Sequence, residues 1–345
     1  MRIARWLRRP IVWLPVSIGL LAILAWRSRI WEVGAFDSFD PRALVAAALL
    51  SLVVPPLWAI RSAGLLAAAG RPVGIRPLVP MTAFANTINN LTPGSAGEIV
   101  RLYLLRAHHG VDYASGAAVI VIERFGSIGF LATSALLSWL VWIGAIPVVA
   151  AAGVMIVLVA SPGIVYGLGL RPFVILRRLG MGRLIGPDRW ARLNDWLDRM
   201  DATIARVLGD PGRLVAFAVA CGAIFVITAA QLVLVGRAVG VVLDPLAAWG
   251  ALGLATIAGV ISLLPFGLGA TDLTLAALLG VTGVPPLEAA TMAFGYRLVS
   301  TLPLGLAGVM SYMYLSASLP DAGLGGVARE VRAEADSPTA RRGEP

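Results

Sequence analysis

The chain contains no lysine, a single cysteine and few charged residues of either sign. Charged side chains make up 14% of its 345 residues and hydrophobic ones 58%, and the mean hydropathy is +0.84. A composition this apolar excludes a water-soluble domain. Because Cys221 is alone, an intrachain disulfide is excluded as well. Walker, G-x-G-x-x-G, G-x-S-x-G and H-E-x-x-H patterns are missing, so we expect no cofactor, no metal site and no enzyme activity.

Long apolar stretches dominate what is present. Those long enough to cross a bilayer cover residues 11–26, 43–60, 117–143, 148–170, 214–239 and 289–315. Backbone N–H and C=O groups cannot stay unpaired in hydrocarbon, so spans of this length and all-round hydrophobicity must be helices. The sequence therefore predicts an all-α polytopic membrane protein with about six full transmembrane helices.

Two further apolar segments, 78–108 and 246–281, are interrupted by helix-breaking residues. The breaks lie between Pro93 and Gly97 and between Pro265 and Gly269. Each half of such a segment is expected to be too short to cross alone. This pattern is typical of re-entrant hairpins, whose broken backbone is shielded by neighbouring protein.

The two interrupted segments and the spans after them also match each other in sequence. Pro93 pairs with Pro265, Gly97 with Gly269, Arg124 with Arg297 and Ser127 with Ser300. We therefore divide a transmembrane domain, residues 1–319, into repeat halves of about 11–143 and 148–316. Three full crossings in each half, an odd number, predict that the halves are inverted relative to each other. The tail 320–345 is predicted to be disordered.

The net charge of +9 is concentrated before the first span and between spans, unlike a nucleic-acid footprint. By the positive-inside rule, the arginine-rich loop 171–213 and both termini are cytoplasmic. Within that loop, apolar residues recur every three or four positions from Trp190 to Val207, which predicts an amphipathic surface helix.

Ionisable groups at membrane depth are the candidate functional residues. Helix starts at the two breaks expose N–H groups, and the repeat-equivalent Arg124 and Arg297 add positive charge, which together suit a phosphate. The predicted head-group ligands are Asn89, Asn90, Pro93, Gly94, Gly97, Glu98, Arg101, Glu123, Arg124, Gly267, Gly269, Asp272 and Arg297. For Glu98 and Arg101, a packing ion pair on one helix face is an equally good interpretation.

The run NNLTPGSAGEIVRLYLLR, followed by VIERFGS, LPFGLGATD and a later YR, resembles the lysylphosphatidylglycerol synthase transmembrane, or flippase-like, family. The resemblance covers roughly residues 43–315. The family's motifs fall on Pro93, Gly97, Glu98, Arg101, Glu123, Arg124, Gly267, Gly269 and Arg297. Ser127 and Asp272 depart from it, since the family often has an acid at the first position and a Glu at the second.

The resemblance implies a protein of the bacterial inner membrane that moves or binds an anionic, phosphate-linked lipid between two rocking halves. Two alternatives stay open: a membrane-embedded enzyme acting on a lipid phosphate, and an accessory subunit of a separate lipid-modifying enzyme. The expected partners are thus a membrane lipid and possibly such an enzyme, with no nucleic acid.

Overall fold

The computed structural model describes residues 40–92, 96–168, 187–262, 264 and 267–318. Over these residues the regular structure is helical, without a strand. The helices are α1 (Pro41–Ser51), α2 (Val54–Ala68), α3 (Ile75–Leu91), α4 (Ala96–His109), α5 (Tyr113–Trp142), α6 (Val148–Gly167), α7 (Pro187–Leu208), α8 (Pro211–Ala238), α9 (Pro245–Ser262), α10 (Ala270–Val281) and α11 (Pro286–Ser318). The first predicted span, 11–26, and the predicted disordered tail lie outside the described residues.

The polytopic all-α class is confirmed. Helices long and apolar enough to cross a membrane cover Pro41–Ala68, which is α1 with α2, and also α5, α8, α9 and most of α11. Several begin a few residues earlier than their apolar stretches, because polar residues start them. Asp40, Asp112 and Asp210 each accept a backbone N–H from the first turn of α1, α5 and α8.

The two interrupted segments differ from each other in length. Helix α3 has 17 residues with Pro80 inside it, and α4 has 14, so neither is a candidate span. In the second segment α10 has only 12 residues, but α9 has 18 and is apolar enough to cross. The expectation that each half is too short was therefore wrong for α9. Its run lacks the asparagines that make the end of α3 polar.

The crossings that precede the hairpin in each half, α1 with α2 in the first and α8 in the second, run in opposite directions. The N–H of Asp40 at the start of α1 donates to the carbonyl of Ala238 at the end of α8, at 3.0 Å. Farther along, Gln231 Nε2 donates to Ser51 Oγ at 2.6 Å. Since α1 with α2 precedes the hairpin of one half and α8 that of the other, these antiparallel contacts are the arrangement expected of an inverted repeat.

The last crossing of the first half packs antiparallel to the first interrupted helix of the second half. Ser138 Oγ of α5 donates to the Leu246 carbonyl at 2.8 Å, and Trp249 Nε1 of α9 donates to Ser134 Oγ at 3.2 Å. The two helices approach closely where Gly253 faces Ala135. Small residues at such a crossing let two backbones pack against each other.

The reciprocal pair, α3 with α11, has the same arrangement. The rings of Phe84 and Tyr312 lie 5.1 Å apart, and Thr87 Oγ1 lies 3.5 Å from the Leu304 carbonyl. Gly308 leaves the room that Thr87 occupies. Each half therefore holds the other half's hairpin against its own last span, and the halves interlock through both pairs.

Helix α7 confirms the predicted amphipathic helix but not its surface position. The apolar stripe of Leu197, Met200, Ile204 and Val207 is buried within the protein. Met200 and Ile204 pack with Ala114 and Ala118 of α5, so neighbouring helices cover the apolar face of α7.

Candidate anion-binding site

A cluster of charged side chains lies where α2, α4 and α5 meet near the tip of the first hairpin. Glu98 lies in the first turn of α4, where a carboxylate is favoured by the helix dipole. The hairpin closes tightly beside it, because a Cβ on Gly97 would lie only 1.9 Å from the Ala85 carbonyl oxygen of α3. Gly97 thus serves close packing of α3 against α4. Pro93 and Gly94 lie outside the described residues.

Glu98 links the hairpin to the last span of its half. Arg124 Nε of α5 donates to Glu98 Oε1 at 2.8 Å, and Asn89 Nδ2 of α3 donates to the same oxygen at 3.0 Å. On the other side, Arg101 Nε lies 3.2 Å from Glu98 Oε2. Of the predicted asparagines, Asn89 therefore joins the cluster, while Asn90 is half-buried on α3.

Glu123 is the most deeply buried acid of the cluster, with 2% of its surface exposed. Arg101, 7% exposed, forms an ion pair with it and also lies beside Glu98. Ser62 Oγ of α2 donates to Glu123 Oε1 at 2.5 Å, and Arg61 Nε lies 3.6 Å from the same oxygen. Arg101 of α4 and Arg61 of α2 therefore contact the buried carboxylate from two different helices.

Arg61 and Ser62 are members of this cluster that the sequence argument missed. Arg61 NH1 donates to Ser127 Oγ at 2.8 Å and lies 3.7 Å from Cys221 Sγ. The predicted span ended at residue 60, so this arginine counted as a loop charge, yet α2 continues to Ala68. An arginine followed by an uninterrupted apolar run was the available signal.

Positive charge exceeds negative charge in the cluster. Three arginines, Arg61, Arg101 and Arg124, face two glutamates, Glu98 and Glu123. Several buried atoms here form no hydrogen bond: Arg61 Nε, Arg101 Nε, Glu98 Oε2 and Asn89 Oδ1, of which the first three lie in the ion pairs described above. The cluster therefore carries one positive charge that its own acids do not balance, and a buried charge favours an accompanying charge of opposite sign.

The second half contains a smaller, neutral arrangement. Arg297 of α11 binds Asp272 of α10 through two hydrogen bonds, each 2.7 Å long. Asp272 also accepts the Gly269 N–H at 2.9 Å, which caps α10. Gly269 and Gly267 have φ angles of +81° and +60°, in the left-handed region that favours glycine. In this ion pair the acid, Asp272, therefore binds Arg297 and also caps the start of α10.

Arg124 and Arg297 are equivalent in position as well as in sequence. Each lies eleven residues after the first residue of its helix, Tyr113 or Pro286, and binds an acid near the start of the returning hairpin helix. Eleven residues correspond to roughly 17 Å of helix, a little more than half the thickness of a bilayer's hydrocarbon core. The ion pairs described here stay within one half or the other. Convergence of both hairpin ends on one ligand stays a prediction.

An apolar cavity of about 550 Å³ adjoins the first cluster. Its walls come from α5, α6, α7 and α8 and include Phe125, Phe130, Leu158, Ile204 and Phe217. The guanidinium carbon of Arg61 lies 5.7 Å from the centre of the Phe217 ring, a cation–π contact. Phe217 therefore has the charged cluster on one side and the apolar cavity on the other.

These features define a polytopic α-helical membrane protein whose inverted halves each bind an arginine to a hairpin acid at membrane depth. The chain belongs to the family of the lysylphosphatidylglycerol synthase transmembrane region, whose model matches residues 11–308. It is 26% identical over 307 residues to a UPF0104 membrane protein of Methanothermobacter thermautotrophicus, a match spanning 83% of this chain and 89% of that protein. A shorter segment of 92 residues, 27% of this chain, is 30% identical to 15% of the Glycosyltransferase AglD of Haloferax volcanii.

Proposed function

We propose that this protein binds the anionic, phosphate-bearing head group of a membrane lipid at the first-half cluster and moves it across the bilayer without changing it chemically. The observation behind the proposal is the excess guanidinium group at membrane depth. A charge in hydrocarbon is costly unless an opposite charge accompanies it. A phosphate on the lipid supplies that charge, and arginine matches its oxygens with paired N–H groups.

The adjoining cavity supports a lipid rather than a small soluble anion as the ligand. A phospholipid has a charged head and apolar chains, and the Arg61 and Phe217 pair joins surfaces of both kinds. A volume of about 550 Å³ accommodates part of an acyl or isoprenyl chain. The head group would contact Arg61 and Arg124, with its chain along α5 and α8.

The inverted architecture supports movement. In transporters with inverted repeats, one half rocks against the other around a site near the bilayer midplane. Here the sliding surfaces would be the two reciprocal pairs, α5 with α9 and α3 with α11, where small residues bring the backbones together. In this proposal the end of the molecule bearing α7 faces the cytoplasm, as its arginines favour.

An accessory role in lipid modification is the second candidate. The partial similarity to a protein named as a glycosyltransferase favours it. In such a role the charged cluster would present or stabilise a lipid for a separate enzyme. Transport by the purified protein separates the two candidates.

The test uses purified protein in phosphatidylcholine vesicles containing a trace of fluorescent phosphatidylglycerol or fluorescent phosphatidylcholine. A membrane-impermeant quencher measures how much probe moves between leaflets. We expect the protein to accelerate movement of phosphatidylglycerol at least tenfold more than that of phosphatidylcholine. R124Q should abolish most of this difference, since Arg124 is the half-exposed arginine of the cluster.

R42Q is the matched control, because Arg42 is an exposed arginine in the first turn of α1. It should leave movement unchanged. Equal, slow movement of both probes in wild-type vesicles would reject transport of this lipid class. If phosphatidylglycerol nevertheless binds the protein and R124Q weakens that binding, the accessory role is supported instead.

A further inference from the structure

A second cavity, of about 640 Å³, lies where α7 crosses the ends of α2, α4 and α5. Four arginines line it, together with one carboxylate, that of Asp112. The arginines are Arg71, Arg106, Arg199 and Arg206. They come from three different parts of the chain, since Arg199 and Arg206 share α7, so their convergence on one cavity is a product of the fold.

Two of these arginines are neutralised by acids. Arg71 NH2 lies 3.0 Å from Asp112 Oδ2, and Arg199 NH1 lies 2.9 Å from Asp195 Oδ2 on the same helix. Both pairs are well exposed to solvent, and the second is an ordinary pair at i and i+4. They place guanidinium groups at the cavity without adding net charge.

The other two arginines are positioned by neutral groups. The guanidinium carbon of Arg106 lies 4.6 Å from the centre of the Tyr113 ring. Arg206 NH1 donates to the Ala69 carbonyl at the end of α2, at 2.9 Å. Neither contact neutralises its charge, so two oriented guanidinium groups give the cavity an excess of positive charge.

The cavity lies at the interface between α7 and the ends of α2, α4 and α5, and we call it the interfacial cavity. We infer that it binds a phosphate-bearing ligand, either a water-soluble phosphate ester or diphosphate, or the head group of an anionic lipid. Planar guanidinium groups bind phosphate oxygens through paired hydrogen bonds, and several around one cavity favour a multiply charged anion. The volume lies in the range of ordinary small-molecule sites. The start of α5 adds the partial positive charge of a helix N-terminus to the same wall.

The inferred site is separate from the buried cluster. Asp112 precedes Glu123 by eleven residues, or roughly 17 Å along α5, and Arg106 follows Arg101 by five residues on α4. Binding at the interfacial cavity does not require that the protein transports lipid.

A purely structural role for Arg206 is the competing explanation, because its hydrogen bond satisfies a carbonyl at the end of α2. Arg106 distinguishes ligand binding from such a structural role. Its guanidinium contacts the Tyr113 ring, so shortening this side chain does not break a hydrogen bond to a helix end. The variant R106K keeps the charge, whereas R106Q removes it. R213Q is the control, because Arg213 is an exposed arginine beside Asp210 that does not line the cavity.

The experiment uses the full chain in phosphatidylcholine nanodiscs. Inorganic diphosphate is titrated by calorimetry, and phosphatidylglycerol added to the nanodiscs is counted by native mass spectrometry. We expect R106Q to weaken binding of the recognised probe about tenfold and R106Q/R206Q to weaken it further. R106K should change it less than about threefold and R213Q less than about twofold, because one charge-assisted hydrogen bond is worth roughly a factor of ten.

Binding of diphosphate alone assigns the cavity to soluble phosphates, and binding of phosphatidylglycerol alone assigns it to lipid head groups. Either result supports the inference if R106Q weakens it. No binding of either probe, or binding that R106Q leaves unchanged, overturns it. R124Q, which should abolish most of the transport difference, should leave diphosphate binding intact because Arg124 does not line this cavity, so failure here and failure of the proposed transport are distinguishable.

Discussion

The two halves of the molecule share a framework but differ in charge. Both bind an arginine of the last span to an acid of the returning hairpin helix, Arg124 to Glu98 and Arg297 to Asp272. The first half adds Arg61, Arg101 and Glu123 to its pair. The shared pair is therefore a common framework, and the excess positive charge of the first half comes from the two arginines and one acid added to it.

The difference in charge between the halves can be traced to individual positions that are equivalent in the two halves. Arg61 lies twenty residues after the start of α1, and Gln231 lies twenty residues after the start of α8. Gln231 is buried and donates to Ser51 and to the Ala47 carbonyl, so it joins helices without charge. Likewise Glu123 precedes Arg124, where Tyr296 precedes Arg297. Neutral residues replace charged ones at both positions of the second half.

The largest expected effect is on stability, from removing the central acid of the first half. E123Q leaves the buried Arg101 without its closest acid and removes the one ion pair that Arg61 forms within the described part of the chain. Breaking a buried pair from one side typically costs about 3–5 kcal/mol. D272N should reduce the free energy of unfolding by less, because it removes the acid from a single arginine, Arg297, whose side chain is partly accessible to solvent.

Thermal unfolding of both variants in one detergent measures this difference, with E288Q as the control. Glu288 lies in the first turn of α11 and should matter little. A D272N variant less stable than E123Q would contradict the asymmetry described here.

The second expected effect concerns close packing in the two hairpins. G97A places a Cβ against the Ala85 carbonyl, which is backbone and cannot move aside, so we expect a loss of about 1–3 kcal/mol. G259A meets the Thr271 hydroxyl, a side chain that can rotate, and should cost less. G129A has open space around it and should be neutral or slightly stabilising. Equal losses for all three variants in unfolding measurements would show that packing at Gly97 is ordinary.

The smallest expected effect is at the helix starts. D112A and D210A each remove an acid that accepts a first-turn N–H, at a typical cost of about 1 kcal/mol. Burial alone raises the pKa of Asp112, but hydrogen bonds from Ser115 and the charge of Arg71 outweigh it, so the pKa lies below its usual value.

A lowered folded-state pKa stabilises the protein above the unfolded-state value and loses that contribution as the pH falls through the folded-state value. The stability difference between wild type and D112A should therefore shrink on acidification below about pH 4. Unfolding measured at neutral and acidic pH checks this. A difference that grows on acidification contradicts the assignment.

Much of the fold was predictable because the length and hydropathy of an apolar run identify a membrane helix. The inverted repeat was predicted from the paired breaks after Asn90 and Leu264 and from the matched arginines. Two features needed the structure. Arg61 became a site residue only because α2 extends beyond the apolar run, and α7 turned its apolar stripe toward α5 rather than toward lipid. Local patterns specify neither how far a helix continues nor what covers its apolar face.

The central claim is that the excess positive charge of the first half binds an anionic lipid, and R61Q tests it most directly. This substitution gives the first half the residue that Gln231 provides in the second and makes the cluster neutral. Native mass spectrometry of the detergent-purified protein with phosphatidylglycerol measures the retained lipid, with R42Q as control. We predict at least tenfold weaker retention for R61Q and none of this loss for R42Q. A folded R61Q protein that retains phosphatidylglycerol like the wild type contradicts the claim.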